Sequence, residues 1–234
     1  MNTIPTTIHY CWFGPRKQSD AVRQAIASWK KVLPDYTIKL WNEETFDVNA
    51  HEYTKRMYAA QHYAFVADYV RLKVLEEHGG ICLDADMIIV QSLSPLLTHE
   101  CFLGEESPGT ISAGAFGAVP HHPYIKACLA YYETHTSKRE TIPRILTEIY
   151  KTFKDDTSIV VFPPKTFYPF DSDHIKNYRG QQLDADIYGV HMWDYSWGHP
   201  LNKFFKAIGI YRVGKKITEL LGIKKLLKKI LGFV

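Results

Sequence analysis

Between residues 62 and 86 a helical pattern ends on two glycines, and the chain passes at once into an apolar strand that breaks on an acidic turn. Phe65, Tyr69, Leu72 and Leu75 recur at helical spacing and predict a helix over about 62–77 with one apolar face. Gly79-Gly80 supplies the stop. Ile81-Cys82-Leu83 then predicts a short buried strand, Asp84-Ala85-Asp86 breaks it, and a further strand follows at 87–90. A helix feeding a buried strand that ends in carboxylates fits few layouts other than a layered α/β domain.

The flanking segments extend that layout. Residues 7–13 (TIHYCWF) are rich in strand formers and end at Gly14-Pro15. Ser19 and Asp20 can cap a helix to about residue 32, with Val22, Ile26 and Trp29 on one stripe and Pro34 beyond its end. Residues 36–41 alternate like a second strand, giving an opening β-α-β unit. Farther on, strands are expected at 101–104, 111–118, 158–162 and 187–192, and helices at 123–135 and 142–153.

The chain has 234 residues, 46% hydrophobic and 23% charged, so it can bury one substantial core but hardly two. No run approaches the roughly 18 apolar residues that a membrane span needs. The first nine residues lack a basic flank followed by an apolar core, so no signal peptide is expected and a cytoplasmic location is the default. The four cysteines, Cys11, Cys82, Cys101 and Cys128, form no CxxC pair and read as buried thiols.

Charge is unevenly distributed. Residues 203–234 hold nine Lys/Arg and one acid, Glu219, a net +8 against +3 for the whole chain, which leaves −5 for residues 1–202. A mildly acidic body argues against nucleic acid as a partner. Within the tail, residues 215–231 (KKITELLGIKKLLKKIL) place Ile and Leu three or four apart with lysines between. The expected form is a basic amphipathic helix, either an interfacial anchor on anionic lipid or a helix packed on protein. Two regions are therefore expected: an α/β domain over 1–202 and the helical tail over 203–234.

Asp84 and Asp86 are one residue apart and point to the same side of an extended chain, about 7 Å between Cα atoms. At the carboxyl end of a strand they face the crevice where α/β sheets bind ligands. Such a pair suits a hard divalent cation bridging to a diphosphate; the alternative is a solvated turn. Asp68 and Arg71 share a helix face at i,i+3. Alone they would read as a surface salt bridge, but they interrupt an apolar segment packed near the acidic strand and so call for each other or a polar ligand.

The segment YAFVADYVRLKVLEEHGGICLDADM resembles the signature of the DxD-containing sugar-binding region of glycosyltransferase family 32, and the opening IPTTIHYCWFG resembles that family's start. The family includes bacterial capsule and lipopolysaccharide glycosyltransferases and yeast mannosyltransferases, and the clostridial glucosylating toxins share a similar core. The resemblance implies a single GT-A-type, Rossmann-like domain, a UDP-sugar donor, Mn²⁺ or Mg²⁺, and retaining transfer of a hexose or N-acetylhexosamine. By it, Trp12 stacks on the uracil, Asp68 and Arg71 hold sugar and ribose hydroxyls, Asp84 meets the ribose and, through water, the metal, and Asp86 binds the metal directly. His191-Met192-Trp193-Asp194-Tyr195-Ser196-Trp197 is similar to a segment that closes over the diphosphate. That match makes His191 a metal ligand and sets Ser196 and Trp197 against the leaving phosphate.

For catalysis the resemblance singles out Asp86, Trp197 and Arg71. Trp12 as a core aromatic and His191 as a structural hydrogen-bonder stay open at this stage. Many relatives carry an asparagine where this chain has Ala113, so one polar contact near the transferred sugar is expected to be missing or rerouted. Same-face attack through an oxocarbenium-like transition state follows, because no second carboxylate is placed as a nucleophile. The resulting expectation is a bacterial-type enzyme of capsule or O-antigen assembly. It would act on a lipid-linked glycan acceptor at the inner face of the cell membrane. Two other readings use the same residues: a nucleotidyltransferase or phosphohydrolase, and a non-catalytic nucleotide-sugar-binding protein.

Overall fold

A computed structural model describes residues 3–194. Its main sheet has six strands: β1 (Thr7–Cys11), β2 (Thr37–Trp41), β3 (Gly80–Leu83), β5 (Cys101–Ser107), β6 (Thr110–Ala118) and β7 (Ile159–Phe162), in the order β2-β1-β3-β6-β5-β7. Only β6 runs against its neighbours; the pairs β1–β2, β1–β3 and β5–β7 are parallel. A separate two-stranded sheet joins β4 (Met87–Ile89) to β8 (Gly189–His191), antiparallel, with Met87 opposite His191. The fold is thus mixed α/β with a mainly parallel sheet.

Two cores form on the faces of the sheet. One lies under α2 (Glu52–Ala59), α3 (Tyr63–His78), α4 (Pro123–Thr134) and α5 (Ile142–Tyr150), the other under α1 (Asp20–Val32) and the β4 region. Ser19 caps α1 as expected, its side chain accepting the Val22 N–H. The helix docks on β4 through polar contacts as well as burial: Trp29 Nε1 donates to Met87 O (2.6 Å), and Ile89 N to Ser28 Oγ (3.0 Å). Val22 and Trp29 are buried together with Ala25, while Ile26 is only half-buried.

Two expectations change. α3 does not show a single apolar face: Val66, Val70 and Val74 are buried along with Tyr69, Leu72 and Leu75. It lies against the sheet on one side and against α2 and α4 on others, so its apolar residues ring the axis. α2 is a helix that sequence periodicity does not single out. Its N-cap is His51, whose ring accepts the Tyr53 N–H, in place of the usual Ser, Thr, Asp or Asn. The four cysteines are buried and free, as expected.

The join from α3 to β3 depends on backbone that only glycine adopts easily. Gly79 has φ +61 and Gly80 φ +105. A Cβ on Gly80 would lie 2.7 Å from Thr7 O and 2.9 Å from His9 Nε2, so a side chain there is blocked by both space and φ. His9, fully buried in β1, donates from Nε2 to Gly79 O (2.9 Å) and accepts at Nδ1 from Trp41 Nε1 (3.0 Å). These two bonds fix a neutral imidazole with one tautomer. Burial, helped by nearby Lys39, outweighs the bond to Gly79 and holds its pKa down at about 4. His9 therefore ties β2, β1 and the end of α3 together immediately before the strand that carries the acidic turn.

Candidate metal centre and donor cleft

β3 is the third strand of the six, buried along its whole length, and Asp84 follows it directly. Asp84 N donates to Gly114 O of β6 (2.8 Å), and Met87 N closes the turn onto Asp84 O (2.9 Å). The turn thus leaves a rigid sheet and enters β4. Pairing of β4 with β8 carries His191 back over it, 105 residues later in sequence. His191 Nε2 stands 3.4 Å from Asp84 Oδ2 and 3.3 Å from Asp86 Oδ1. One donor atom from each of Asp84, Asp86 and His191 lies within 4.8 Å of the others. The side chains are 26%, 14% and 13% exposed, so the cluster is recessed but reachable.

The charges here are mutually adjusted. Burial opposes ionisation of Asp84 and Asp86, but Arg71 and His191 outweigh it at Asp84, and His191 with the Asp194 N–H at Asp86, so both carboxyls are held below their usual range. Burial likewise opposes charge on His191, yet the two carboxylates raise its pKa well above that of a free imidazole. A proton on His191 bridges two acids where a cation can take its place. Two carboxylates and an imidazole converging on one point form a donor set that a divalent cation can occupy, with room left for water or phosphate. Asp86 Oδ2 also accepts the Asp194 N–H (2.7 Å), and Asp86 O the Met192 N–H (3.0 Å), which fastens the turn to the segment after β8.

Arg71 is not in a surface salt bridge with Asp68. It is 8% exposed, pairs with Asp84, and donates from Nη1 to Ala113 O (3.3 Å). At the position where an asparagine is expected, the backbone carbonyl of Ala113 thus receives the polar contact. Arg71 Nε is buried, with no hydrogen-bond partner among the described residues. Asp68 accepts the Ile142 N–H at the start of α5 (3.4 Å), and burial, partly offset by Arg71, raises its pKa to about 7. Trp12 follows β1 at the carboxyl edge of the sheet. It is half-buried and outside the core, with Nε1 donating to Arg16 O (2.7 Å). Ser196 and Trp197 lie outside the described residues, as does the whole tail over 203–234.

Residues 19–103 match the family described as the glycosyltransferase sugar-binding region containing a DXD motif. The matched region spans 85 of the 234 residues. It runs from the cap of α1 into β5 and holds Asp68, Arg71, Asp84 and Asp86, while Trp12 and His191 lie outside it. Mannosyl phosphorylinositol ceramide synthase CSH1 of Saccharomyces cerevisiae is 29% identical over 167 residues, 64% of this chain and 43% of the relative. The corresponding synthase SUR1 of the same yeast is 31% identical over 52% of this chain and 35% of its own length. Human alpha-1,4-N-acetylglucosaminyltransferase is 24% identical over 55% of this chain and 42% of its own. The chain spans less than half the length of each of these relatives. Among solved structures, PaToxG glycosyltransferase superposes with a TM-score of 0.54 at 18% identity, covering 66% of this chain and 71% of that one. That likeness shows the fold to be of the GT-A type.

Sequence reasoning missed four residues around the cluster. Tyr168 packs its ring against His191 and Trp193, and its hydroxyl is hydrogen-bonded to buried Ser112. Trp193 stands edge-on to His191, centroids 4.6 Å apart, with Nε1 donating to Phe170 O (2.9 Å) and φ +52. A Cβ on Gly114 would collide with the Tyr168 hydroxyl. The only local signal was the run Phe167-Tyr168-Pro169-Phe170, aromatic in an otherwise polar stretch.

Proposed function

We propose that the protein is a metal-dependent glycosyltransferase that moves a hexose or N-acetylhexosamine from a nucleoside-diphosphate sugar to a glycan or glycolipid acceptor. The observation that carries this reading is the convergence of Asp84, Asp86 and His191 from two distant strands inside and beside a DXD region. In it, Asp86 and His191 hold Mn²⁺ or Mg²⁺ and Asp84 does so through water. The cation supplies electrostatic stabilisation of the departing diphosphate.

The chain's own residues do the rest. Trp12 offers a flat face at the mouth of the cleft for the base. Asp68 is oriented by the α5 backbone and accepts donor hydroxyls. Arg71, with Asp84 and Ala113 already engaged, acts on the donor mainly by holding Asp84 in place. Ser196 and Trp197 complete the leaving-phosphate side, and transfer proceeds with retention.

A UDP-sugar is the first donor to test. The names of the relatives, mannosyl and N-acetylglucosaminyl, put mannose and N-acetylglucosamine on the panel. The synthase names also denote a lipid product, which supports a lipid-linked acceptor, as in assembly of a bacterial surface polysaccharide at the inner membrane face. No helix among the described residues is long and apolar enough to cross a membrane. The basic amphipathic pattern of 215–231 supports contact with anionic lipid through residues 203–234, and deleting them is expected to abolish binding to anionic vesicles while sparing donor hydrolysis.

The deciding experiment is a thermal-shift and nucleotide-release panel of UDP- and GDP-sugars, each with Mn²⁺ and with EDTA. Stabilisation and release that require metal support transfer. Metal-independent binding without release favours a binding protein, and release of sugar phosphate favours a nucleotidyltransferase or phosphohydrolase.

A further inference from the structure

The two halves of the acidic cluster are joined by a chain of contacts away from the cleft. Asp84 N donates to Gly114 O (2.8 Å), Gly114 N donates to Ser112 Oγ (2.9 Å), and Ser112 Oγ is hydrogen-bonded to the Tyr168 hydroxyl. The Tyr168 ring then lies 5.2 Å from the His191 ring and 5.7 Å from Trp193, centroid to centroid. The residue before it, Phe167, accepts the His191 N–H at its carbonyl (3.2 Å). Ser112 and Tyr168 are both buried. Glycine at 114 leaves the space that the tyrosine hydroxyl enters.

We infer that Tyr168 and Ser112 are positioning residues that set the distance between His191 and the Asp84–Asp86 turn, and thereby the affinity of the site for a divalent cation. This rests on the metal-site reading proposed above. The physical reason is that His191 Nδ1 is buried and has no hydrogen-bond partner among the described residues. Ligand histidines are ordinarily oriented by a hydrogen bond at the second nitrogen, and losing such support costs about 10- to 100-fold in metal affinity. Here the ring is held instead by its faces and edges, between Tyr168 and Trp193, and the hydroxyl of Tyr168 fixes that wall to the strand beside Asp84. Tyr168 touches neither donor nor acceptor in this scheme; it acts through His191.

The test uses the full-length chain as wild type, Tyr168→Phe, Ser112→Ala and the double variant. Mn²⁺ affinity is measured by electron paramagnetic resonance, and the His191 ring resonances by NMR of the metal-free protein. Each single variant is expected to bind Mn²⁺ roughly tenfold more weakly. The double variant should be no more than about twofold worse than either, as coupled residues behave. The His191 resonances should move in Ser112→Ala, although the hydrogen bonds of Ser112 run to Tyr168 and Gly114. Unchanged Mn²⁺ affinity with only a lower melting temperature, or losses that simply add, would overturn the inference. A wild type that fails to bind Mn²⁺ while Ser112→Ala still shifts His191 would overturn the metal reading and support the brace.

Discussion

The acidic turn and the His191 segment meet at one point but are held there in different ways. Asp84 follows a strand buried along its length, and its backbone is bonded to β6 on one side and closed by its own turn on the other. His191 belongs to a three-residue strand that among the described residues pairs only with β4, and leans on Tyr168 and Trp193, the latter at φ +52. One side is set by the central sheet. The other is set by a small sheet and aromatic packing, the kind of element whose local stability is lower than that of a core strand. On the proposed metal reading, the contrast assigns the tuning of cation affinity to the His191 side and the fixed origin of the site to the Asp side.

The largest effect should come from breaking the fixed side chemically while leaving it folded. Asp86→Asn keeps an oxygen for the Asp194 N–H but removes the charge; metal-dependent nucleotide release should fall roughly 10³-fold, with an unchanged circular-dichroism spectrum. Retention of most activity in the presence of Mn²⁺ would remove Asp86 from its role.

The next effect concerns the sheet itself. The His9 pKa is about 4 folded against 6.5 unfolded, so the folded state resists a proton that the unfolded chain accepts. Its contribution is complete above about pH 6.5 and is lost as pH falls toward 4, about 3 kcal/mol in all. Urea titrations between pH 7 and pH 4 should show that decline, and His9→Gln should flatten it. An equally steep decline in the variant would place the acid sensitivity elsewhere.

The smallest of the three probes the adjustable side: His191→Ala should cost roughly 10²-fold in release at fixed Mn²⁺, with part of the loss recovered at higher Mn²⁺. A loss that no concentration of metal recovers would mean that His191 serves something other than metal binding.

The same contrast explains what could be read from the sequence. The elements from 7 to 41 and from 80 to 118 were legible because caps, glycines and strand-forming runs act over a few residues. The acidic pair was legible for the same reason, since two carboxylates at the end of an apolar strand constrain each other locally. α3 was misread in its packing because a helix covered on several sides loses the 3.6-residue stripe. α2, opened by a histidine, gave no start signal. The aromatic wall was not legible at all: Tyr168 lies 56 residues from Ser112, and only the folded sheet brings them together. His191 was reached by resemblance, and its register opposite Met87 explains how it arrives. The replacement at Ala113 was legible, but its consequence, a backbone carbonyl receiving Arg71, was visible only in the structure.

Asp84, Asp86 and His191 are proposed to form one divalent-cation site. This proposal is tested most directly by titrating Mn²⁺ into the full-length chain without nucleotide and following the free-ion paramagnetic resonance signal, for wild type, Asp86→Asn and His191→Ala. The expected result is one ion per chain in the wild type and affinity lost in both variants, more severely in Asp86→Asn. Binding of equal strength and number in all three would contradict it.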